Sequence, residues 1–226
     1  MNLTVVGHWG GYPKAGEASS GYLLEHEGCK ILLDCGSAVL SQLQTYLHPK
    51  ELDAVILSHY HADHIADIGV LQHALLIEKY MSNNIRNLPT YGHKEDEMAF
   101  ETLTYKDITT GMAYHPKESL QIGPFTIDFI KTQHPAPCYA MKIEAGGKTL
   151  VYTADTSYFD ELIDFANEAD LLLCECNFYK GMDSAGAGHM TSEQAGILAS
   201  NAKVNSLILT HLPHFGDLNQ LVSEAR

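Results

Sequence analysis

A dense group of metal-binding side chains directly follows a short apolar run in this sequence. The run AVIL at 54–57 has the length and continuous hydrophobicity of a buried strand. It leads into SHYHADH, which supplies the candidate ligands His59, His61, Asp63 and His64. If the chain stays extended after the strand, His59 and His61 point to the same side, and Asp63 and His64 lie where a helix begins. The fold must therefore bring one strand end and one helix start to a common point.

Three more polar residues stand in the same kind of position, directly after other apolar runs. His134 follows TIDFIKTQ, Asp155 follows TLVYTA, and His211 follows SLILT. In α/β proteins, the loops that bind ligands gather at the ends of the strands. Nitrogen and carboxylate ligands suit zinc, and also manganese or iron. Seven such positions are more than one tetrahedral zinc can use, so the sequence predicts a pair of divalent metal ions, roughly 3.5–4 Å apart.

The order of apolar runs predicts a mixed α/β protein. Strands are expected at 3–7, in a hairpin around Gly28, at 54–57, at 120–133, at 137–153 with a turn at 146–148, and in LLLCE and SLILT. Helices are expected near 38–47, 64–81 and 94–103, in SYFDELIDFANEA and in TSEQAGILASNA. The last helix starts with a capping-box pattern formed by Thr191 and Gln194. No repeat or long linker interrupts the chain, so residues 1–226 are expected to form a single domain.

Composition limits the partners of the protein. Lys and Arg total 14 against 28 Asp and Glu, and the formal charge of −14 disfavours contact with long nucleic acid. No apolar run approaches the roughly 18 residues that span a bilayer, and no secretory signal is visible, so no membrane partner is expected. The five cysteines form no disulfide framework, which favours a reduced, cytoplasmic protein. Cys174 and Cys176 are expected to be buried small hydrophobes.

The order of the ligand-type residues resembles the metallo-β-lactamase superfamily over nearly the whole chain. The resemblance implies an α/β fold, the four-layer αβ/βα metallo-β-lactamase sandwich, with a dinuclear site at one edge. It also implies the metal ligands: His59, His61 and His134 on one ion, Asp63, His64 and His211 on the other, and Asp155 as the bridge. Zinc is the first choice for the two divalent ions and manganese is the alternative.

Within the superfamily, the chain is most similar to the RNase Z-like phosphodiesterase branch. The opening GHWGGYPKAGEASSGY and the run LLDCG at 32–36 are similar to that branch. Glu175 in CECNF and His189 in GHMTSEQAG match a pair in which the histidine, oriented by the glutamate, acts near the leaving group. True zinc β-lactamases usually have cysteine at the place of Asp155, and flavodiiron proteins have glutamate at the place of His61, so neither branch fits.

This resemblance implies hydrolysis of a phosphodiester by a metal-bound hydroxide. Asp63 would bind a metal ion and orient the hydroxide, and His189 paired with Glu175 would protonate the departing oxygen. The arm that grips tRNA in tRNA-processing members has no counterpart, because only 20 residues separate His134 from Asp155 and none of that stretch is basic or glycine-rich enough. We therefore expect a small phosphodiester: a cyclic nucleotide, a cyclic ribose phosphate or a short oligonucleotide.

Two other functions stay open at this point. An acyl hydrolase acting on thioesters or lactones would use the metal ions equally well, and the Glu175–His189 pair distinguishes it, since an ester leaving group has less need of a proton donor. A metal-binding protein without turnover is the other alternative, and the complete ligand set argues against it. His8 in the opening loop is a candidate for lining the pocket, whereas Trp9 is expected to pack. The sequence also leaves open whether the chain forms a homodimer.

Overall fold

The computed structural model describes residues 1–82 and 85–226, which divide into two compact units. Unit 1 comprises Met1–His115 and Ile122–Pro124, and unit 2 comprises Pro116–Gln121 and Phe125–Arg226. Each unit is built on a six-stranded sheet with helices, so the mixed α/β class is confirmed. That residues 1–226 form one domain stays a prediction.

In the described residues of unit 1 there are the first six strands and four α-helices. The strands are β1 (Asn2–Gly7), β2 (Gly21–His26), β3 (Cys29–Leu33), β4 (Ala54–Ile56), β5 (Leu88–Gly92) and β6 (Thr109–Ala113), and they follow this order across the sheet. The helices are α1 (Val39–Leu43), α2 (Ala62–Ile65), α3 (Ile68–Ser82) and α4 (Glu97–Glu101). Strands β1 to β3 pair antiparallel, and β3 to β6 pair parallel.

Parallel pairing explains the continuous apolar run of β4. All three residues of β4 are fully buried, because a parallel strand in the middle of a sheet is covered on both faces. The predicted hairpin around Gly28 is confirmed, with Glu25 opposite Lys30 and Tyr22 opposite Leu33. The sequence did not predict β5 or β6, since LPTYG and TTGMA carry the proline and glycine that strand interiors usually lack.

Unit 2 contains the remaining strands and three helices. The strands are β7 (Leu120–Ile122), β8 (Phe125–Lys131), β9 (Tyr139–Ala145), β10 (Lys148–Tyr152), β11 (Leu171–Glu175) and β12 (Leu207–Thr210). The helices are α5 (Glu161–Phe165), α6 (Ser192–Asn201) and α7 (Leu218–Glu224). The sheet order is β12-β11-β10-β9-β8-β7, with β8, β9 and β10 antiparallel and β10, β11 and β12 parallel.

Local signals in unit 2 predicted most of its elements. The turn at 146–148 joins β9 to β10, and the capping box at the start of α6 is formed: Thr191 Oγ1 accepts from Gln194 N, and Gln194 Oε1 accepts from Thr191 N. Such caps stabilise a helix by about 0.5–2 kcal/mol. Helix α5 is shorter than the predicted SYFDELIDFANEA, and α7 was not predicted.

The cysteines near β11 are buried, as expected. Cys174 and Cys176 have no exposed surface, and burial raises the pKa of the Cys176 thiol to about 12. A neutral, enclosed thiol is neither a nucleophile nor a metal ligand near neutral pH, since both roles need the thiolate. These side chains therefore fill the core of unit 2.

Among the described residues, no helix combines the length and the apolar character that a membrane crossing requires.

Candidate metal centre

The ligand-type residues of unit 1 form one cluster where β4 leads into α2. His61 has an extended backbone and caps α2, and Asp63 and His64 lie within that helix. The ring of His59 lies 4.7 Å from the ring of His61 and 4.1 Å from the ring of His64, centroid to centroid. Asp63 Oδ2 lies 3.6 Å from His64 Nε2. His59, Asp63 and His64 are buried, whereas His61 is exposed.

A buried carboxylate that the sequence did not single out as a site residue orients two of these histidines. Asp34, directly after β3, lies with Oδ2 at 2.8 Å from His64 Nδ1 and accepts from the Ser58 hydroxyl, also at 2.8 Å. Because that hydroxyl donates to Asp34, its oxygen is left to accept from His59 Nδ1, 3.0 Å away. Both imidazoles therefore carry their proton on Nδ1, which leaves Nε2 as the ligand atom.

The backbone at Asp34 is itself unusual. Its φ of 55° lies in the left-handed region, which residues other than glycine seldom adopt. The Ser58 backbone N–H donates to Asp34 Oδ1 at 2.7 Å, and the residue has no exposed surface. Conformations of this kind cost about 1–3 kcal/mol and cluster at functional sites. The sequence signal for Asp34 was its place in LLDCG, but its contact with His64 joins residues far apart in the chain.

In unit 2, the three predicted ligands also lie together. His134, Asp155 and His211 follow β8, β10 and β12. Asp155 Oδ2 lies 3.3 Å from His211 Nε2 and 4.0 Å from His134 Nε2, and the carboxylate is 2% exposed. One carboxylate therefore faces the Nε2 atoms of two imidazoles, and all three side chains offer ligand atoms that suit a divalent cation.

Hydrogen bonds to backbone carbonyl groups hold the two candidate histidine ligands of unit 2, His134 and His211. The Nδ1 atom of His134 lies 3.0 Å from the carbonyl oxygen of Gly188, which can only accept, so His134 carries its proton there. The Asn177 side-chain amide donates to the carbonyl oxygen of His211 at 2.9 Å. His211 and the residue before Asp155, Ala154, have φ values of 51° and 50°, the same left-handed strain as at Asp34. The sequence held no signal for Gly188 or Asn177.

The Glu175–His189 pair predicted from the sequence is formed in unit 2. His189 Nδ1 lies 2.8 Å from Glu175 Oε1, and the carboxylate is fully buried at the end of β11. Three backbone N–H groups, of Thr156, Met190 and Asn177, also donate to this carboxylate. Glu175 is therefore held rigidly and fixes the Nδ1 proton of its partner.

His189 also lies against two of the candidate ligands. Its ring stacks on the ring of His211 at 5.1 Å and lies 5.4 Å from the ring of His134. Ligand atoms of Glu175, His189 and His211 lie within 4.8 Å of one another. The pair therefore stands beside the candidate metal ligands of unit 2, and its role in a reaction stays a prediction.

Trp9 in the opening loop is packed, as expected from the sequence. Its side chain is 2% exposed and contacts Glu17 and Lys14 of the same loop. His8 is half-buried, and this burial lowers the pKa of its imidazole, which favours the neutral form. The centroid of the His8 ring lies 5.1 Å from that of the Trp9 ring.

The donor set of both clusters suits zinc. In unit 1, His59 and His64 each offer an Nε2 atom while a hydroxyl or carboxylate holds the Nδ1 proton, and in unit 2 the Gly188 carbonyl does the same for His134. Each cluster also has a carboxylate, Asp63 in unit 1 and Asp155 in unit 2. Zinc takes neutral imidazole and carboxylate ligands, and hydrogen bonds to Nδ1 fix the tautomer that binds it. The residues present therefore fit divalent metal ions.

The chain matches a known protein family and several of its members. Residues 30–212 match the model of the Beta-lactamase superfamily domain. The chain is 53% identical over 226 residues to "Probable metallo-hydrolase YhfI" of Bacillus subtilis, covering 100% of this chain and 93% of the relative. It is 25% identical over 278 residues to a ribonuclease Z of Clostridium novyi, covering 93% and 88% of the two chains.

Solved structures resemble the fold. The crystal structure of YhfI, described as a metallo-beta-lactamase fold protein, matches with a TM-score of 0.97 over 99% of this chain and 91% of that one. The short form of human tRNase Z matches with a TM-score of 0.79 at 21% identity, covering 95% of this chain and 93% of that one. At 21% identity, the similarity to human tRNase Z supports the fold alone.

Proposed function

This chain belongs to the metallo-β-lactamase superfamily, and on that premise we propose that it is a metal-dependent hydrolase that cleaves small phosphodiesters. The family match confirms the resemblance and the fold class inferred from the sequence. The ribonuclease Z relative is consistent with the RNase Z-like branch. The printed name of the Bacillus subtilis relative, a probable metallo-hydrolase, supports hydrolysis as the reaction type.

The proposed centre holds two divalent metal ions, with zinc as the first choice. We assign His59, His61 and His134 to one ion, Asp63, His64 and His211 to the other, and Asp155 as the bridge. The family match spans all seven residues. His59, His64 and His134 are each oriented by a hydrogen bond at Nδ1, which supports a metal-binding role for these three imidazoles.

The Glu175–His189 pair is the observation that carries the choice of phosphodiester over ester. When bound, two divalent ions supply a hydroxide nucleophile near neutral pH and neutralise phosphate charge. Glu175 holds the Nδ1 proton of His189 at 2.8 Å, so protonated His189 presents its second proton on Nε2 to the departing oxygen. Departure of an alkoxide, which is a poor leaving group, is accelerated most by such a proton donor. Asp63 would contribute its carboxylate to one ion and would orient the nucleophile.

The charge of the chain bears on the size of the substrate. A net charge of −14 repels a long polyanion, whereas two cations attract a single phosphodiester locally. The proposed partner is therefore a small phosphodiester, such as a cyclic nucleotide, a cyclic ribose phosphate or a short oligonucleotide.

A comparison of two chromogenic substrates tests the proposed reaction. Protein stripped of metal by a chelator and reloaded with Zn²⁺ or Mn²⁺ is assayed on bis-p-nitrophenyl phosphate and on p-nitrophenyl acetate. Each rate is divided by the rate of the uncatalysed reaction under the same conditions, because the acetate hydrolyses more easily without an enzyme. We expect the larger enhancement on the phosphodiester, and only after metal is restored.

Other outcomes identify the alternatives. A larger enhancement on the acetate would favour an acyl hydrolase of thioesters or lactones. Tight metal binding without turnover of either substrate or of a panel of cyclic nucleotides would favour a metal-binding protein. Both outcomes contradict the proposal.

A further inference from the structure

The opening loop, residues 8–18, is closed on itself between β1 and β2. The Trp9 backbone N–H donates to the carbonyl oxygen of Ala18 at 3.3 Å, which ties the two ends of the loop together. The buried Trp9 indole N–H donates to the carboxylate of Glu17, and the Lys14 ammonium lies 3.8 Å from the centroid of the indole ring. The loop therefore has its own internal packing around one tryptophan.

One amide of this closed loop reaches a candidate metal ligand. The Gly11 backbone N–H donates to Asp63 Oδ2 at 2.7 Å, across 52 positions of sequence. Asp63 is buried, so few water molecules compete for that oxygen. A hydrogen bond from an amide to a charged carboxylate is stronger than one between neutral groups. The bond therefore restricts the rotation of the Asp63 carboxylate.

The backbone conformation at position 11 favours glycine over other residues. Its φ is +74°, in the left-handed region, and a Cβ atom added there would meet nothing within 4 Å. Conformation, not lack of space, therefore favours glycine. A side chain at this position would disturb the direction of the amide without creating a clash.

We propose that the Gly11 amide is a positioning group that sets the metal affinity of the centre by fixing the Asp63 carboxylate. The inference rests on the proposed function in one respect, namely that Asp63 is a metal ligand. The internal packing of the loop is independent of the bond to Asp63, so the bond can be lost while the loop stays folded. Without it, the carboxylate must be ordered when the metal binds, and the affinity falls.

The test uses glycine variants of one loop. Gly11→Ala forces a residue with a Cβ into the left-handed region, and Gly16→Ala is the matched control: Gly16 has a φ of +79°, equally open surroundings, and a carbonyl that accepts from the Gln42 side chain. Gly11→Asn is the conservative variant, since asparagine adopts left-handed conformations more readily than alanine and therefore disturbs the direction of the backbone N–H less.

Metal-free protein is titrated with Co²⁺, and the absorption bands of the bound ion report affinity and ligand geometry. We expect Gly11→Ala to weaken Co²⁺ binding by about 10–100-fold and to change the bands, as loss of partners around metal ligands usually does. Gly11→Asn should restore most of the affinity, and Gly16→Ala should bind as the wild type does. Thermal unfolding midpoints should fall in both alanine variants because of the backbone strain, and further in Gly11→Ala because the buried Asp63 carboxylate also loses a hydrogen bond.

Equal Co²⁺ affinity in Gly11→Ala and Gly16→Ala would overturn the proposal. A second measurement does not depend on whether Gly11→Ala folds: hydrogen exchange of the wild-type Gly11 amide should be slow and should accelerate in Asp63→Ala, while the Trp9 amide stays protected. Unchanged exchange at Gly11 would also overturn it. If Asp63 is not a metal ligand, the proposed function fails, and this result is distinguishable because Asp63→Ala would then bind Co²⁺ as tightly as the wild type.

Discussion

Asp155→Ala should lose metal and activity together, and we expect this to be the largest effect of any single substitution. Asp155 Oδ2 lies 3.3 Å from His211 Nε2 and 4.0 Å from His134 Nε2, so removal of the carboxylate leaves two imidazoles without the anion they share. Outer-shell partners of metal ligands contribute about 10–100-fold to affinity or activity, so loss of a bridging ligand should cost at least about that much. Metal content per chain and kcat/KM on bis-p-nitrophenyl phosphate are the measurements.

The matched control for this change is Asp164→Ala. Asp164 is an exposed aspartate on α5 of the same unit, and its replacement should alter neither quantity. If Asp155→Ala keeps the metal content and turnover of the wild type, Asp155 is not a ligand and the assignment of the bridge is wrong.

His189→Ala should keep its metal ions and lose activity in a way that depends on the leaving group. General acid catalysis contributes about 10²–10⁴-fold, so kcat/KM on an alkyl phosphodiester should fall by about that factor. The loss should be much smaller on an aryl phosphodiester, since p-nitrophenolate departs without much need of a proton. His73→Ala, which removes an exposed histidine from α3, is the control and should change neither rate.

Two results would remove the general-acid assignment. Equal losses on the alkyl and aryl substrates would show that His189 gives no proton to the leaving group. Loss of metal from His189→Ala would instead show that His189 is a metal ligand. Metal content should be measured because His189 lies next to His211.

Glu175→Gln should change more than the orientation of His189. The pattern alone suggests a milder form of the His189→Ala phenotype. In the structure, however, Glu175 also accepts from the backbone N–H groups of Thr156, Met190 and Asn177. A glutamine amide placed there would turn a donor toward other donors, and a buried polar group without a partner costs about 1–3 kcal/mol. We therefore expect reduced thermal stability alongside any loss of rate.

The strands that carry the candidate ligands were predictable because of how they pack. A strand buried on both faces needs a continuous apolar run, and AVIL and LLLCE have one. SLILT is equally apolar, although β12 lies at the edge of its sheet and leaves Ile208 exposed. Each run also marks where its strand ends, so the polar residue that follows could be recognised as a candidate ligand. Strands β5 and β6 lack such runs, and their pairing with the sheet, not their own sequence, makes them strands.

The groups that orient the ligands could not be predicted in the same way. Asp34 and His64 are 30 positions apart, and His134 and Gly188 are 54 positions apart. Two of the partners, Gly188 and Gly11, act through backbone atoms that every residue possesses, so residue type gives no signal. Long-range contacts of this kind follow from the tertiary fold.

The central claim, a hydrolase that works with two metal ions, is tested most directly by one titration. Metal-free protein is titrated with Zn²⁺ while hydrolysis of bis-p-nitrophenyl phosphate is followed at each addition. The account predicts no activity without metal and a rate that stops rising at two equivalents of Zn²⁺ per chain, since both ions take part in the reaction. A rate that reaches its maximum at one equivalent, or hydrolysis by the metal-free protein, would contradict it.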